Sequence, residues 1–181
     1  MENLEIANKQ ELWDWLAENH AQAASMKLVT WKAVHSDKYV SREDVLDALI
    51  AFGWIDGRRF VVDEDRTAQL ISPRKQQAWS KSYKDRVARL RTEDLMHLAG
   101  EAAVENGKAS GLWDFFADVD ALILPPDLRS IIDFEKWDGL APSYRRNVLR
   151  WIKLAKTEAT RSKRIATAVE VTAKGTKIPQ M

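Results

Sequence analysis

The side chain best suited to chemistry is Asp56, within the peptide Gly53-Trp54-Ile55-Asp56-Gly57. The segment from Trp54 to Val62 alternates like a strand, and one face is predicted to carry Trp54, Asp56, Arg58, Phe60 and Val62. A carboxylate on a half-buried face needs a partner, because burying an unpaired charge is costly. Two interpretations stay open. Asp56 forms a structural ion pair or caps a turn, or it is a pocket carboxylate whose partner is Arg74 or Arg161.

A second group of residues suggests an anion site where a strand leads into a helix. Ser72-Pro73-Arg74-Lys75 precedes Trp79-Ser80. Exposed N–H groups at a helix N-terminus, next to two cations, are suited to hold an anion; an ordinary connection is the alternative. The predicted ligand-binding residues are Trp54 and Trp79 as walls, Arg74 and Arg161 as anion donors, and Asp56 as the orienter of an arginine.

A basic stretch near the C-terminus offers a different function. Residues 145–164 hold eight Lys or Arg and one acidic residue, Glu158. A basic helical face can follow a phosphate backbone, which suggests nucleic-acid binding through Arg145, Arg146, Arg150, Lys153 and Lys156. The alternative is that this stretch docks on residues 92–142, which hold 11 acidic and 3 basic side chains, or is solvated.

Several chemistries are excluded or unsupported. The chain has no cysteine, so a disulfide, a thiolate nucleophile and a Cys-ligated metal are excluded. Its three histidines, His20, His35 and His97, show no ligand spacing, and no Ser/His/Asp set is recognisable. We therefore predict no catalytic residue, no metal and no cofactor. The eight tryptophans are predicted to fill a core, or in one or two cases to line a pocket for a flat ligand.

The surrounding elements are predicted from periodicity and capping patterns. Helices are expected over residues 9–23, from Asn8 as cap, and from Ser41 to a stop at Gly53. Strands are expected over residues 28–34, 54–62 and 67–72, the last two as a hairpin. Beyond Pro73 the pattern is helical, with Thr92 as a cap, a break over residues 107–111 and a loop over residues 113–126. Further helices are expected from Pro126 to Asp133, around Trp137, from Pro142 and from Thr157 or Glu158.

These elements predict an α+β fold. A small antiparallel sheet of three or four strands is packed by helices, with a helical C-terminal region. Residues 1–110 form the α+β core, residues 111–174 the helical region packed on it as one domain overall, and residues 175–181 a frayed tail. No apolar run is long enough to span a bilayer, and no secretory signal is seen, so the cytoplasm is the expected location.

The motifs together resemble the YdeI/OmpD-associated family, also called bacteriocin-protection proteins. The resemblance runs from about Trp13 to Ile165. It rests on the following peptides: Ala48 to Gly57, Pro73-Arg74-Lys75, Trp79-Ser80, Ala155-Lys156, Thr160-Arg161 and Arg164-Ile165. It implies a bacterial or archaeal protein linked to resistance against antimicrobial peptides and to an outer-membrane porin. The family has been grouped with small α+β domains, some of them labelled DNA-binding.

The predicted function is a non-enzymatic cytoplasmic protein for binding or stress protection, with an anionic small molecule or a protein as partner and no membrane insertion. Nucleic-acid binding through the basic helices is one alternative. A small-molecule enzyme that uses Asp56 as acid or base is the other.

Overall fold

The computed structural model of the protein describes residues 2–179, which fall into two compact units, Met1–Asp114 and Phe115–Met181. The predicted α+β class is confirmed. The division falls close to the boundary predicted after residue 110. That the two units pack as one domain stays a prediction.

The first unit contains a four-stranded sheet in the order β1-β2-β4-β3. Its strands are β1 Asn3–Glu5, β2 Met26–Trp31, β3 Trp54–Val61 and β4 Arg66–Pro73. The β3–β4 hairpin is confirmed, and β2 pairs antiparallel with β4. The sheet has the predicted number of strands and is mixed, because β1 pairs parallel to β2, with Leu4 opposite Leu28, while the other pairings are antiparallel. A strand of three residues is too short to show an alternating pattern, so only this non-local pairing defines it.

Four helices complete the first unit: α1 Lys9–Asn19, α2 Arg42–Ala51, α3 Lys81–Thr92 and α4 Leu98–Ala109. The predicted caps of α1 and α2 are confirmed, since the side chains of Asn8 and Ser41 accept hydrogen bonds from backbone N–H groups three residues later. Helix α1 ends four residues before the predicted Ala23. Helix α2 ends as predicted at Gly53, whose φ of +74° suits glycine. It contacts α1, α3, α4 and β3, and therefore lies at the centre of the unit.

Helix α4 starts later than predicted. Thr92 is the last residue of α3 and donates to the Ala88 carbonyl at 3.1 Å, so its predicted role as an N-cap was wrong. The backbone N–H of Leu95 closes the end of α3 on the carbonyl of Leu90, a buried residue, and the chain then turns before α4. His97 is the actual cap, and its Nδ1 accepts from the Ala99 N–H at 3.1 Å.

Two glycines let α4 approach its neighbours closely. A Cβ atom on Gly100 would lie 2.1 Å from the carbonyl oxygen of Ala51, at the end of α2. A Cβ on Gly107 would lie 2.4 Å from Nε1 of Trp79. The break predicted from Gly107 was therefore wrong at that residue. The helix continues to Ala109, and Gly111, with φ +73°, follows its end.

Within its described residues, the second unit contains helices joined by loops and no strand. Its helices are α5 Ala117–Asp120, α6 Pro126–Arg129, α7 Phe134–Asp138, α8 Pro142–Lys153 and α9 Glu158–Ala173. The predicted helices at Pro126, Trp137, Pro142 and Thr157 are confirmed, although α6 ends before Asp133 and α5 lies in the expected loop. The tail is not frayed at Ile178, which is buried and donates its N–H to the Tyr144 hydroxyl at 2.8 Å. Residues 180 and 181 of the predicted tail lie outside the described residues.

Within residues 2–179, no helix is long and apolar enough to cross a membrane.

Candidate functional site

A β-bulge in β3 determines which side chains accompany Asp56. Asp56 lies opposite Ile71, but Arg59 lies opposite Gln69, so two residues of β3 face one residue of β4. The extra residue reverses the alternation, and Arg59 rather than Arg58 shares the face of Asp56. Phe60 lies on the other face, with the Lys27 ammonium 5.2 Å from its ring centroid. The predicted placement of Arg58 and Phe60 beside Trp54 was therefore wrong.

The carboxylate of Asp56 is enclosed by partners. Its Oδ1 accepts a short hydrogen bond from the Tyr83 hydroxyl, and its Oδ2 accepts from Gln69 Nε2 at 3.0 Å. Arg42 Nη2 lies 3.7 Å from the same Oδ2, and the Asp56 side chain is only 10% exposed. Burial, and then the bond to Asp56, raises the pKa of Tyr83, so the hydroxyl stays protonated as a donor. Both carboxylate oxygens are thus engaged, and the ion pair is with Arg42, which the sequence did not single out.

Arg74 is the most unusual cation of the first unit. Its guanidinium carbon lies 3.9 Å from the ring centroid of Trp79 and 5.1 Å from that of Tyr83. Nη1 donates to the Gln77 carbonyl at 3.0 Å. Nε and Nη2 are buried and have no hydrogen-bond partner among the described residues. Burial lowers the pKa of Arg74 to about 10, although the nearby Tyr83 and Asp56 oppose the shift, so the group is charged at neutral pH.

A cavity of about 270 Å³ lies beside Arg74 and Trp79. One wall is made of small residues of α4, namely Ala99, Ala102, Ala103 and Gly107. Polar groups at the cavity come from Lys75, Gln77 and Asn106, and His20 and Phe52 contribute from the other elements. The backbone N–H of Arg74 donates to the Gly53 carbonyl at 2.9 Å. This bond holds Arg74, which follows β4, next to the residue that precedes β3. The cavity therefore combines one buried cation with an aromatic ring and an apolar wall.

The predicted ligand residues are only partly brought together. Arg74 and Trp79 line the cavity. Asp56 accepts a hydrogen bond from Tyr83, whose ring centroid lies 5.1 Å from the guanidinium carbon of Arg74. Trp54 belongs to the core, because its ring is fully buried and its Nε1 donates to the His20 carbonyl at 3.0 Å.

Arg161 lies in the second unit and is already paired. Its Nε and Nη2 donate to the two carboxylate oxygens of Asp127, at 2.7 and 2.9 Å. The hydrogen bonds lower the pKa of Asp127 and raise that of Arg161. Arg161 is thus held by a local carboxylate.

The basic set proposed for nucleic acid is also partly engaged. Arg145 pairs with Asp138 at 2.8 Å and Lys153 with Asp118 at 2.5 Å. The guanidinium carbon of Arg150 lies 5.2 Å from the ring centroid of Phe116. Within residues 2–179, Arg146 and Lys156 have no ion pair. Acidic residues preceding α8 therefore neutralise part of this face, as one of the two alternative interpretations expected.

A histidine pair next to the cavity was missed by the sequence reasoning. The rings of His20 and His97 lie 4.7 Å apart, and His97 stacks on Phe52 at 4.7 Å. Burial, and then the neighbouring His20, lowers the pKa of His97. No group of three potential metal ligands occurs within residues 2–179. No sequence signal indicated this pair, because His20 and His97 are far apart in the chain and only the packing brings their rings together.

Two known families match the chain, and each match lies within one of the two units. Residues 4–103 match the family described as a domain of unknown function, DUF8412. Residues 121–175 match the family described as bacteriocin-protection, YdeI or OmpD-associated. No curated protein and no solved structure matched the chain.

The resemblance predicted from the motifs is confirmed for residues 121–175. The peptides Ala48 to Gly57, Pro73-Arg74-Lys75 and Trp79-Ser80 fall instead in the region that matches the other family. Residues 121–175 of the second unit are similar to the YdeI/OmpD-associated family. Because the match to residues 4–103 covers more than half of the chain, the chain belongs to the DUF8412 family.

Proposed function

We propose that the first unit is a non-catalytic binding module whose ligand is a small anion held by Arg74 in the cavity beside Trp79. One observation carries the proposal: a buried guanidinium whose Nε and Nη2 have no acceptor within the described residues. A buried donor without a partner costs about 1–3 kcal/mol, and more when charged. A ligand oxygen that accepts from these groups would remove that cost.

The surroundings of Arg74 support this role because they hold the guanidinium in place before a ligand arrives. Stacking on Trp79 sets the plane of the group, and the bond from Nη1 to the Gln77 carbonyl sets its rotation. Only the edge with Nε and Nη2 is left for a ligand. A preorganised donor loses less conformational entropy on binding than a flexible surface arginine.

Binding is favoured over catalysis by the state of Asp56. A general acid or base must reach its substrate within hydrogen-bond distance. Asp56 is 10% exposed, and its two oxygens are occupied by Tyr83, Gln69 and Arg42. We therefore assign Asp56 a supporting role, in which it stabilises Tyr83 under the Arg74 guanidinium. An Asp56→Asn variant should lose stability and keep a measurable anion affinity.

The biological role is inferred from the family that the second unit resembles. Residues 121–175 match a family described as bacteriocin-protection, YdeI or OmpD-associated. On that name we propose a role in protection against antimicrobial peptides, with the cytoplasm as the place of action. In that role, the first unit would be the part of the protein that binds the ligand.

The binding proposal is tested by titrating the full chain with sodium phosphate, sulfate, acetate and benzoate at constant ionic strength, with chloride as the reference. Calorimetry measures affinity, and the NMR signal of the Arg74 Nε–H reports the site. We expect at least one oxyanion to bind and to shift that signal. Binding should be lost in Arg74→Met and kept in Arg58→Met, a matched control at an exposed arginine of β3. Absence of binding, or binding that survives Arg74→Met, overturns the proposal.

A further inference from the structure

Three other arginines of this chain show what the edge formed by Nε and Nη2 binds. In Arg91 the two groups donate to the carboxylate of Glu101 at 2.8 and 2.5 Å. In Arg161 they donate to Asp127 at 2.7 and 2.9 Å. In Arg66 both donate to Oδ2 of Asp63, at 2.9 and 2.7 Å. In Arg91 and Arg161 the two parallel N–H groups match the spacing of the two carboxylate oxygens. In Arg66 the same edge also binds a carboxylate, through one of its oxygens.

Arg74 presents this same edge, which is buried and has no acceptor within the described range 2–179. Building on the anion-binding function proposed above, we infer that its ligand is a small monocarboxylate. The carboxylate is held side-on by Nε and Nη2, and the apolar body of the ligand lies against the α4 wall.

The charge of the cavity favours a single negative charge on the ligand. Arg74 is the buried cation, whereas Lys75 is exposed. Asp56 already places a negative charge behind Tyr83, close enough to act on the pKa of Arg74. A dianion such as phosphate would bring a second charge without a buried partner, which is unfavourable in a partly desolvated site. A monocarboxylate balances the single guanidinium.

The size and lining of the cavity favour an apolar body of about the size of a ring. Ala99, Ala102, Ala103 and Gly107 expose only methyl groups and backbone, and Trp79 adds an aromatic face. An apolar cavity of about 150 Å³ is large enough to bind benzene. The cavity of about 270 Å³ therefore has room for such a ring together with its carboxylate.

Ligand access requires a movement near Arg74. Nε and Nη2 have almost no exposed surface, so a ligand reaches them only if neighbouring groups shift. We assign this movement to residues 75–78, the segment that follows Arg74. This segment has no helix or strand. Gln77 connects it to the site twice, through its carbonyl to Arg74 Nη1 and through its side chain to the Lys75 N–H. Binding should therefore change the amide signals of residues 75–78 together with the Arg74 Nε–H signal.

The test compares ligands that share a phenyl ring and differ in the attached group. The full chain is titrated by calorimetry with sodium benzoate, benzenesulfonate, phenyl phosphate and neutral benzamide. We expect benzoate to bind at least about tenfold more tightly than the other three. Arg74→Lys should lose at least about tenfold in benzoate affinity, because an ammonium cannot donate two parallel bonds from a planar edge. Arg58→Lys, at an exposed position of β3, serves as the matched control and should bind benzoate like the parent chain.

Each outcome decides one claim. If sulfonate or phosphate binds as tightly as benzoate at Arg74, anion binding stands and carboxylate selectivity is overturned. If Arg74→Lys keeps the benzoate affinity, the side-on geometry is overturned. If no anion binds at all, the proposed function itself fails.

Discussion

In the second unit the guanidinium of Arg161 holds Asp127 through Nε and Nη2, whereas in the first unit the same two groups of Arg74 have no acceptor in the part of the chain that the structure describes. The Arg161 side chain is 25% exposed and that of Asp127 is 42% exposed, so their pair contributes little to stability. Arg74 lies on an aromatic ring beside a cavity, where an unsatisfied charge is costly. The two arginines therefore differ in what they offer: Arg161 is already held by a carboxylate, whereas the buried Nε and Nη2 of Arg74 are available for a ligand.

The two units differ in a second way, which concerns packing and titration. In the first unit, Gly100 and Gly107 permit contacts that a Cβ would prevent, while Gly139 of the second unit has ordinary space around it. His97, whose pKa is lowered, also lies in the first unit. The stability of the first unit should therefore respond to added volume and to mild acid, and that of the second unit should not.

The largest effect is expected for Gly100→Ala. The added Cβ would lie 2.1 Å from the Ala51 carbonyl oxygen, a backbone atom that cannot rotate away. We expect the free energy of unfolding of the first unit to fall by about 3 kcal/mol. The change is measured by urea unfolding, with amide hydrogen exchange as the readout for each unit.

Gly139→Ala is the matched control for that variant. Its nearest atom outside the neighbouring residues would be the Lys136 carbonyl oxygen at 3.5 Å, an ordinary contact. Stability should change by less than about 0.5 kcal/mol. If the two substitutions changed the free energy of unfolding equally, the predicted difference in packing between the units would be contradicted.

A smaller effect of opposite sign is expected for Arg74→Met in the absence of ligand. The pKa of Arg74 in the folded chain, about 10, lies below the ordinary value of an arginine side chain. The unfolded chain therefore binds this proton more tightly, and the charged group destabilises the fold at every pH below about 10. Two unsatisfied donors cost about 1–3 kcal/mol each, and the cation–π contact returns about 1–2 kcal/mol. Met keeps the apolar contact with Trp79, so we expect the free energy of unfolding to rise by about 1 kcal/mol. A clear loss of stability in equilibrium urea unfolding would mean that Arg74 is a structural cation.

The pH dependence of the first unit should come in part from His97. Burial and His20 lower the pKa of His97 below its usual 6.5, and Nδ1 must be unprotonated to accept from Ala99. As the pH falls below about 6.5, the unfolded chain takes up a proton that the folded chain resists. The stabilisation present above that pH is therefore lost between 6.5 and the lowered value.

His97→Asn tests this, because Asn is a good N-cap and does not titrate. The slope of unfolding free energy between pH 7 and 5 should become smaller in the first unit, while the second unit shows no such slope. His35, which pairs with Asp65 away from α4, gives the control variant His35→Asn, in which the His97 contribution should persist. An unchanged slope in His97→Asn would contradict the assignment.

The smallest effect is expected for Arg161→Met. This change removes a partly exposed ion pair and should lower the free energy of unfolding of the second unit by about 0.2–1 kcal/mol. Arg74→Met makes the same change of side chain, but it is expected to raise the free energy of unfolding rather than lower it. If both variants lose stability to a similar extent, the contrast between the two arginines disappears. Amide hydrogen exchange in α6 and α9, which carry Asp127 and Arg161, measures the change.

Features set by residues close together in the chain were predictable. Asn8 and Ser41 cap α1 and α2 through bonds to residues three positions later, and Gly53 ends α2 because it adopts a positive φ at low cost. The hairpin of β3 and β4 follows from alternation around one turn. For the candidate site, the sequence identified Arg74 and Trp79 but also assigned Trp54, which lies in the core.

The class of fold, most element starts and the basic peptide after β4 could therefore be predicted from the amino-acid order, because each depends on local hydrogen bonding or periodicity. The other features depend on tertiary packing. The bulge places Phe60 on the opposite face from Asp56, and the close approach of α4 uses glycines that look like helix breakers in isolation. The partner of each charge also depends on which distant segments the packing brings together. Arg161 pairs with Asp127, 34 residues away, whereas Arg74 lies against Trp79, and no carboxylate among residues 2–179 accepts from its Nε and Nη2.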